Sequence, residues 1–228
     1  MTTKTNAYQI GLSATANQNL TWYQPATPDG TVRLGVGNAG ATTSDAITVD
    51  NSGNVTVAGT LNSAGGQPVW HGVQGTAQTL SGTATGFTGI PSWVKRITVI
   101  LDNVYNTSGA TSSLLVQIGS GSYQTSGYVC SAAGVGTSSA GSDPISTTGF
   151  SIIYGFNNNY KISGTMTLTY LGASNTWVCN YTFGGVGTTS VTGIGGGRVS
   201  LSGTLDRVQV LNTSGTFASG SVNIIYEG

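Results

Sequence analysis

The sequence predicts an all-β protein: a C-terminal antiparallel β-sandwich of the jelly-roll kind, preceded by an intertwined trimeric β-structured shaft. Three observations carry that expectation. Glycine supplies 36 of the 228 residues, more than twice its usual share of about 7%, and punctuates the chain with turns. Apolar and polar residues alternate with period two over long stretches after residue 81, the signature of half-buried strands. Charged residues make up only 6% against a usual share of about 25%, so the surface is one of hydroxyls and amides.

Residues 1–30 read as a polar segment with no core of its own. Pro25, Pro28 and Asp29-Gly30 mark turns near its end. Residues 31–63 read as short strands, "TVRLGVG", "AITVD" and "NVTVAGTL". Gly53 in "DNSG" stands where a positive φ is cheap, which predicts a hairpin or sharp bend there. The apolar residues of this stretch are few: Val32, Leu34, Val36, Ile47, Val49, Val55, Val57 and Leu61. Such strands bury little and expose their edges. Wrapping several copies around one another supplies the missing apolar partners, so a cyclic homotrimer is expected. Val32, Leu34, Ile47, Val49, Val55, Val57 and Leu61 are its candidate interface.

Residues 64–80, with Gly-Gly, Pro68, Trp70 and His71, read as a neck. From residue 81 the strands lengthen. Ile97, Val99 and Leu101 share one face, as do Ile162, Met166, Leu168 and Tyr170, and again Trp177, Cys179, Tyr181 and Phe183. Val199, Leu201 and Leu205 continue the pattern, which shifts phase at Val208 and Val210, predicting a bulge or corner. Val222, Ile224 and Tyr226 line the last strand. About 145 residues suffice for an independent core.

Function classes can be weighed from the same residues. "VRLGVGNAGATTSDAITVD" holds a G-x-G-x-x-G at Gly35, Gly37 and Gly40. The dinucleotide reading needs a helix opening at the third glycine, and the residues after it alternate like a strand instead. Seven basic and seven acidic residues give no footprint for nucleic acid or anionic lipid. No apolar run of 18 residues or charged-then-apolar start is present, so no membrane insertion and no signal peptide are expected. The five N-x-S/T sequons, at Asn19, Asn54, Asn106, Asn180 and Asn212, read as by-products of composition.

Cys130 and Cys179 lie 49 residues apart in strand-like runs and read as buried thiols. No cofactor and no metal spacing is evident, although His71 in triplicate on an axis would make a site. Paired catalytic carboxylates are not apparent among six Asp and one Glu, so no enzyme is expected. Asp206-Arg207 reads as an ion pair at the start of a strand. Loops such as "YNTSGATSS", "GSGSYQTSGY" and "YGFNNNY" mix Tyr with Ser, Gly and Asn, as adaptable recognition loops do. Tyr105, Tyr123, Tyr128, Tyr154, Asn157, Asn158 and Tyr160 are the candidate receptor contacts.

"DGTVRLGVGNAGATTSDAITVDNSGNVTVAGTLNS" resembles a segment recurrent in bacteriophage tail fibres and related virion surface proteins. "GIPSWVKRITVIL", "YKISGTMTLTYLGASNTW" and "LSGTLDRVQVLNTSGTFASGSVNIIYEG" resemble modules of the same group, so that the resemblance spans about two-thirds of the chain. It implies a trimeric fibre on the particle surface. Its N-terminus would hold another virion protein, and its C-terminal domain would meet a host glycan or protein. A head fibre or capsid decoration with a purely structural role is the other expectation the resemblance allows.

Overall fold

The computed structural model describes residues 4–10, 19–25, 27–37, 44–58, 72–108, 112–136, 140–142, 146–172, 174–188 and 190–228. The chain forms two compact units, Met1–Val69 and Trp70–Gly228. Every element among the described residues is a strand, and every pairing between strands is antiparallel. The protein is therefore all-β.

The first unit is one five-stranded meander: β1 (Lys4–Ile10), β2 (Asn19–Pro25), β3 (Val32–Gly37), β4 (Ser44–Val49) and β5 (Val55–Val57), paired in that order. The sheet thus takes in two strands from the segment read as polar and coreless. Hydrogen-bonded neighbours, not apolar content, make those strands. Gly35 and Gly37 are strand residues within β3, and the next described element is β4. The β4–β5 turn forms as expected around Gly53, at φ +82°. One Asp50 oxygen accepts the N–H groups of Ser52 and Asn54, each at 2.9 Å.

Register sets the character of this sheet. Trp22, Leu34, Ile47 and Val57 stand side by side across four strands, with Val32, Val49 and Val55 in the next row. Alternation puts all of them on one face. That face is partly open: Trp22 is 41%, Val32 49% and Val55 62% exposed, while Leu34, Ile47, Val49 and Val57 are half-buried. Leu61, Gly40, Trp70 and His71 lie outside the described residues. The opposite face sets polar groups around the buried Thr21 and Tyr23. There Arg33 bridges Asp29 and Asp45, and the Tyr23 hydroxyl donates to Asp45.

The second unit opens with β6 (Gly72–Gln74), β7 (Gln78–Thr79) and β8 (Ala84–Thr88), followed by β9 (Arg96–Asn106), β10 (Ser112–Ser120) and β11 (Ser122–Tyr123). Then come β12 (Val129–Gly136), β13 (Ala140–Ser142), β14 (Phe150–Phe156), β15 (Tyr160–Tyr170) and β16 (Thr176–Gly187). Strands β17 (Ser190–Ser200), β18 (Arg207–Asn212) and β19 (Phe217–Glu227) complete it. The smaller sheet runs β8-β18-β10, with β14 and the short β11 both on β10. The larger runs β13-β12-β17-β16-β15-β9-β19, with β6 and β7 both along β19. β6 and β7 belong to the stretch read as a neck. They form because β19 offers a free edge.

The inner faces of the two sheets share one hydrophobic core. The larger sheet contributes Ile97, Val99, Leu168, Trp177, Tyr181 and Ile224, and the smaller Leu114, Val116, Ile118, Phe150, Val208 and Val210. The phase shift between Leu205 and Val208 marks the corner where the chain leaves β17 and joins the other sheet as β18.

In β17, "SVTGIGGGRVS", the alternation marks only the end at Val199, because the central inward residues Gly193, Gly195 and Gly197 carry no side chain. Room, not flexibility, is what they supply. A Cβ on Gly195 would meet the Tyr181 hydroxyl at 2.0 Å, and one on Gly193 the Phe183 ring at 2.3 Å. Rings from β16 lie over the glycines of β17 and fill the core in their place. Gly197 stands in register with both Cys130 and Cys179. The two cysteines are therefore two strands apart, about 10 Å, beyond disulfide reach. Both are free and buried. Burial, aided by the neighbouring Cys130, pushes the Cys179 thiol up to about 12.

Candidate functional site

Strand direction gives the second unit two ends. β9 runs from Arg96 to Asn106, placing Lys95 and Tyr105 about 30 Å apart. The chain enters at the Lys95 end, where Gly72 pairs with Glu227. The Tyr105 end is built from the loops after β9, β14, β16 and β18.

At that tip the loops are tied to one another. The Tyr105 hydroxyl donates to the Asn158 carbonyl at 2.9 Å, and the Asn158 N–H donates to the Ser108 carbonyl at 3.0 Å. Asn157 accepts from the Asn159 N–H at 3.0 Å, and the Thr188 N–H donates to the Asn159 carbonyl at 3.0 Å. Across the tip the Thr107 N–H donates to the Thr216 carbonyl at 2.9 Å. Beneath these, the buried Asn106 amide donates to the carbonyls of Phe156 and Ser214, each at 3.3 Å. Lys161 places its ammonium 5.8 Å from the Tyr105 ring centroid. Among the described side chains such a tip presents hydroxyls and amides, the Tyr105 ring and the Lys161 cation.

The seven candidate contacts do not all gather there. Tyr105, Asn157 and Asn158 do. Tyr160 follows the same loop at the start of β15, and Tyr154 sits opposite Ser113 near that end of β14. Tyr123 belongs to the other end, half-buried with the Arg207 guanidinium 5.7 Å from its ring centroid. Asp206 and Arg207 form the expected ion pair at 2.7 Å. Tyr128 must be corrected: it is a core residue, 1% exposed. Its hydroxyl accepts the Ile118 N–H at 3.0 Å, and its ring meets Phe150 edge-on at 4.9 Å. Burial pushes its phenol up. A Tyr in a Gly/Ser-rich loop and one closing a core look alike in sequence.

The sequons at Asn106 and Asn212 carry buried side chains. Two carboxylates come together in the first unit, Asp29 and Asp45, both on Arg33. The Thr31 hydroxyl, seconded by its N–H and by Arg33, holds Asp29 below its ordinary value. A glycosidase acid needs the opposite shift. Among the described residues no three His, Cys, Asp or Glu side chains converge as metal ligands.

The outer face of the larger sheet is the other surface of note. Val129, Arg198 and Val178 form one row, and Ala133, Ile194 and Thr182 another. Val129, Val135, Val178, Val186 and Ile194 are all exposed there. Comparison with protein-family models, curated proteins and solved structures finds no match.

Proposed function

We propose that the chain is a non-enzymatic structural protein of a bacteriophage particle. In this reading it is a homotrimeric tail fibre that attaches to the host surface through its second unit. The observation that carries the reading is the one-sided apolar sheet of the first unit. A row in which the exposed Trp22 stands beside the half-buried Leu34, Ile47 and Val57 asks for a second layer, which identical neighbours would provide. The resemblance of residues 29–63 to fibre segments points the same way.

The strand order of the second unit favours a jelly roll. The smaller sheet reads β8-β18-β10-β14. The larger reads β9-β15-β12-β13 once the inserted pair β16-β17 and the strand β19 beside β9 are set aside, and most of the remaining connections cross between the sheets as in that topology. Such a unit presents its loops at one end. The tip around Tyr105 and Asn158 would make weak contacts with a host glycan or protein, and three copies on a rigid fibre raise avidity without strong single contacts. The exposed valines and Ile194 on the larger sheet favour a second reading, in which this unit clamps another virion protein as a head fibre or decoration.

Light scattering on the purified chain tests the assembly, with a mass three times 23.0 kDa expected. Adding the chain to host cells before the particle that carries it tests attachment. Adsorption should fall, and Tyr105→Ala with Asn158→Gly should relieve the block. Binding to capsids with no effect on adsorption would establish the clamping role instead.

A further inference from the structure

The outer face of the larger sheet divides into two halves of different chemistry. β12, β17 and β16 turn Val129, Val135, Val178, Val186 and Ile194 outward, all exposed. β15 beside them turns out Ser163, Thr165, Thr167 and Thr169 instead. An antiparallel sheet with one solvated face normally keeps that face polar, so the apolar half marks a contact surface. Its side chains are neighbours by register. Val129, Arg198 and Val178 stand abreast on three strands, and Ala133 and Ile194 stand abreast two rows further on.

Charge on this face is sparse and polarised. Arg96 and Glu227 neutralise each other, and the Lys161 ammonium lies over the Tyr105 ring. That leaves Arg198 at one end and Asp102 at the other, both exposed and, among the described residues, in no ion pair. Arg198 shares a row with Val178, Thr169 and Arg96, and Asp102 lies further along β9 from Arg96. The two charges are therefore about 14 Å apart across the strands and about 20 Å apart along them. The Ser163 hydroxyl donates to Asp102 at 3.4 Å and holds it on this face. Among the described residues, the face between the two charges carries only uncharged groups such as Thr165, Thr167, Asn180 and Thr182.

Single opposite charges at the two ends of one face are what a self-complementary contact requires. In an isologous pair, residue i of one copy meets residue j of the other, and j meets i. A foreign partner imposes no such internal balance. A two-fold axis crossing the sheet between β16 and β15 brings Arg198 over Asp102 of the partner subunit, twice. On a flat lattice of strands the same rotation lays Val178 over Ile100 of the partner subunit and Ile194 beside its counterpart.

We propose that this face binds a second copy of the chain, with two Arg198–Asp102 ion pairs flanking an aliphatic centre. From β12 to β9 and from Arg198 to Asp102 the face measures about 20 Å each way. That is half the roughly 800 Å² per partner of standard interfaces, so the pair is weak and forms as concentration rises. It does not depend on how the first unit associates. Pairing doubles a trimer where that unit trimerises and a single chain where it does not, so the two readings fail separately.

Sedimentation of the full chain at low ionic strength, over a concentration series into the high micromolar range, tests the contact. The mass should double, and added salt should reverse the doubling, because ion pairs near a rim are screened. Arg198→Glu and Asp102→Lys should each move the midpoint at least about tenfold higher, with like charges facing each other where ion pairs stood. Both changes in one chain should return the midpoint to within about threefold of the parent, as coupled sites do. Ile194→Asn should weaken pairing and leave its salt dependence in place. All three positions are exposed, and an unchanged melting temperature checks each fold. No doubling at any concentration, single changes without effect, or a double variant no better than the singles would overturn the proposal. So would a capsid protein seated on this face while the chain itself stays unpaired.

Discussion

The two units handle the same problem, covering the apolar face of a sheet, in opposite ways. The second puts two sheets face to face, so that Ile97, Leu114, Phe156 and Val208 are wholly buried. The first is a single layer whose Trp22, Val32 and Val55 stay open to solvent. Both arise from strands with the same two-residue alternation. The difference teaches that alternation specifies a face to be covered but not what covers it.

The largest test of this contrast is a core truncation. Phe156→Ala should destabilise the second unit by about 3–5 kcal/mol, read by denaturant unfolding, and leave the mass read by light scattering unchanged. Thiol labelling gives an independent readout. Cys130 and Cys179, both buried, should react with a disulfide reagent at mild alkaline pH only as fast as that unit opens, and burial also suppresses the Cys179 thiolate. Rapid labelling of the folded chain would break the picture of a closed core.

Trp22→Ser should act on the other side of the comparison. It removes about 1.5–3 kcal/mol of apolar burial per chain from any assembled state. Light scattering should then show dissociation at concentrations where the parent stays assembled, with the second unit's melting unchanged. Loss of stability with no change in mass would mean that the first unit covers its own face.

Adding a methyl group where a neighbouring strand crowds a glycine is nearly as costly. A Cβ on Gly197 meets the Cys130 Cβ at 2.3 Å and the Val129 carbonyl oxygen at 2.6 Å. Gly197→Ala should cost about 1–3 kcal/mol through overpacking. Gly184, also in the larger sheet, has nothing within 4 Å of such a Cβ, and Gly184→Ala should leave the melting temperature near that of the parent.

The smallest effect is electrostatic and spans both units. Hydrogen bonds from Asn54 hold Asp50 below its ordinary value, those from Arg207 do so for Asp206, and those from Arg96 for Glu227. Groups lowered on folding contribute their full stability above the unfolded carboxylate range of about 4, and lose it as pH falls through the folded value. Melting temperatures should therefore be flat from neutrality to about pH 5 and decline below it. Exposure keeps each contribution small. A decline beginning near neutrality would point to a titrating group elsewhere.

Much of the second unit was legible because its strands obey period two. Ile97, Val99 and Leu101, the Trp177-to-Phe183 series, and Val222 with Ile224 all face the core as their spacing requires. The Gly53 turn and the Asp206–Arg207 pair were legible for local reasons. The middle of β17 was not, because inward glycines at 193, 195 and 197 carry no alternation to detect, and only Val199 near its end does. Nor was the role of Tyr128, whose loop-like neighbours conceal that its ring reaches Phe150.

By itself, then, the sequence determined that this chain folds into strands and turns, and which side chains of each long strand point the same way. Those are properties of neighbours along the backbone, fixed by the pleat and by where glycine permits a reversal. Tertiary structure alone decided which sheet each strand joined, which glycines received a neighbour's ring, and which tyrosines were left at the surface. These depend on partners distant in the chain, and pairing across a sheet follows register and mutual fit, which no local pattern encodes.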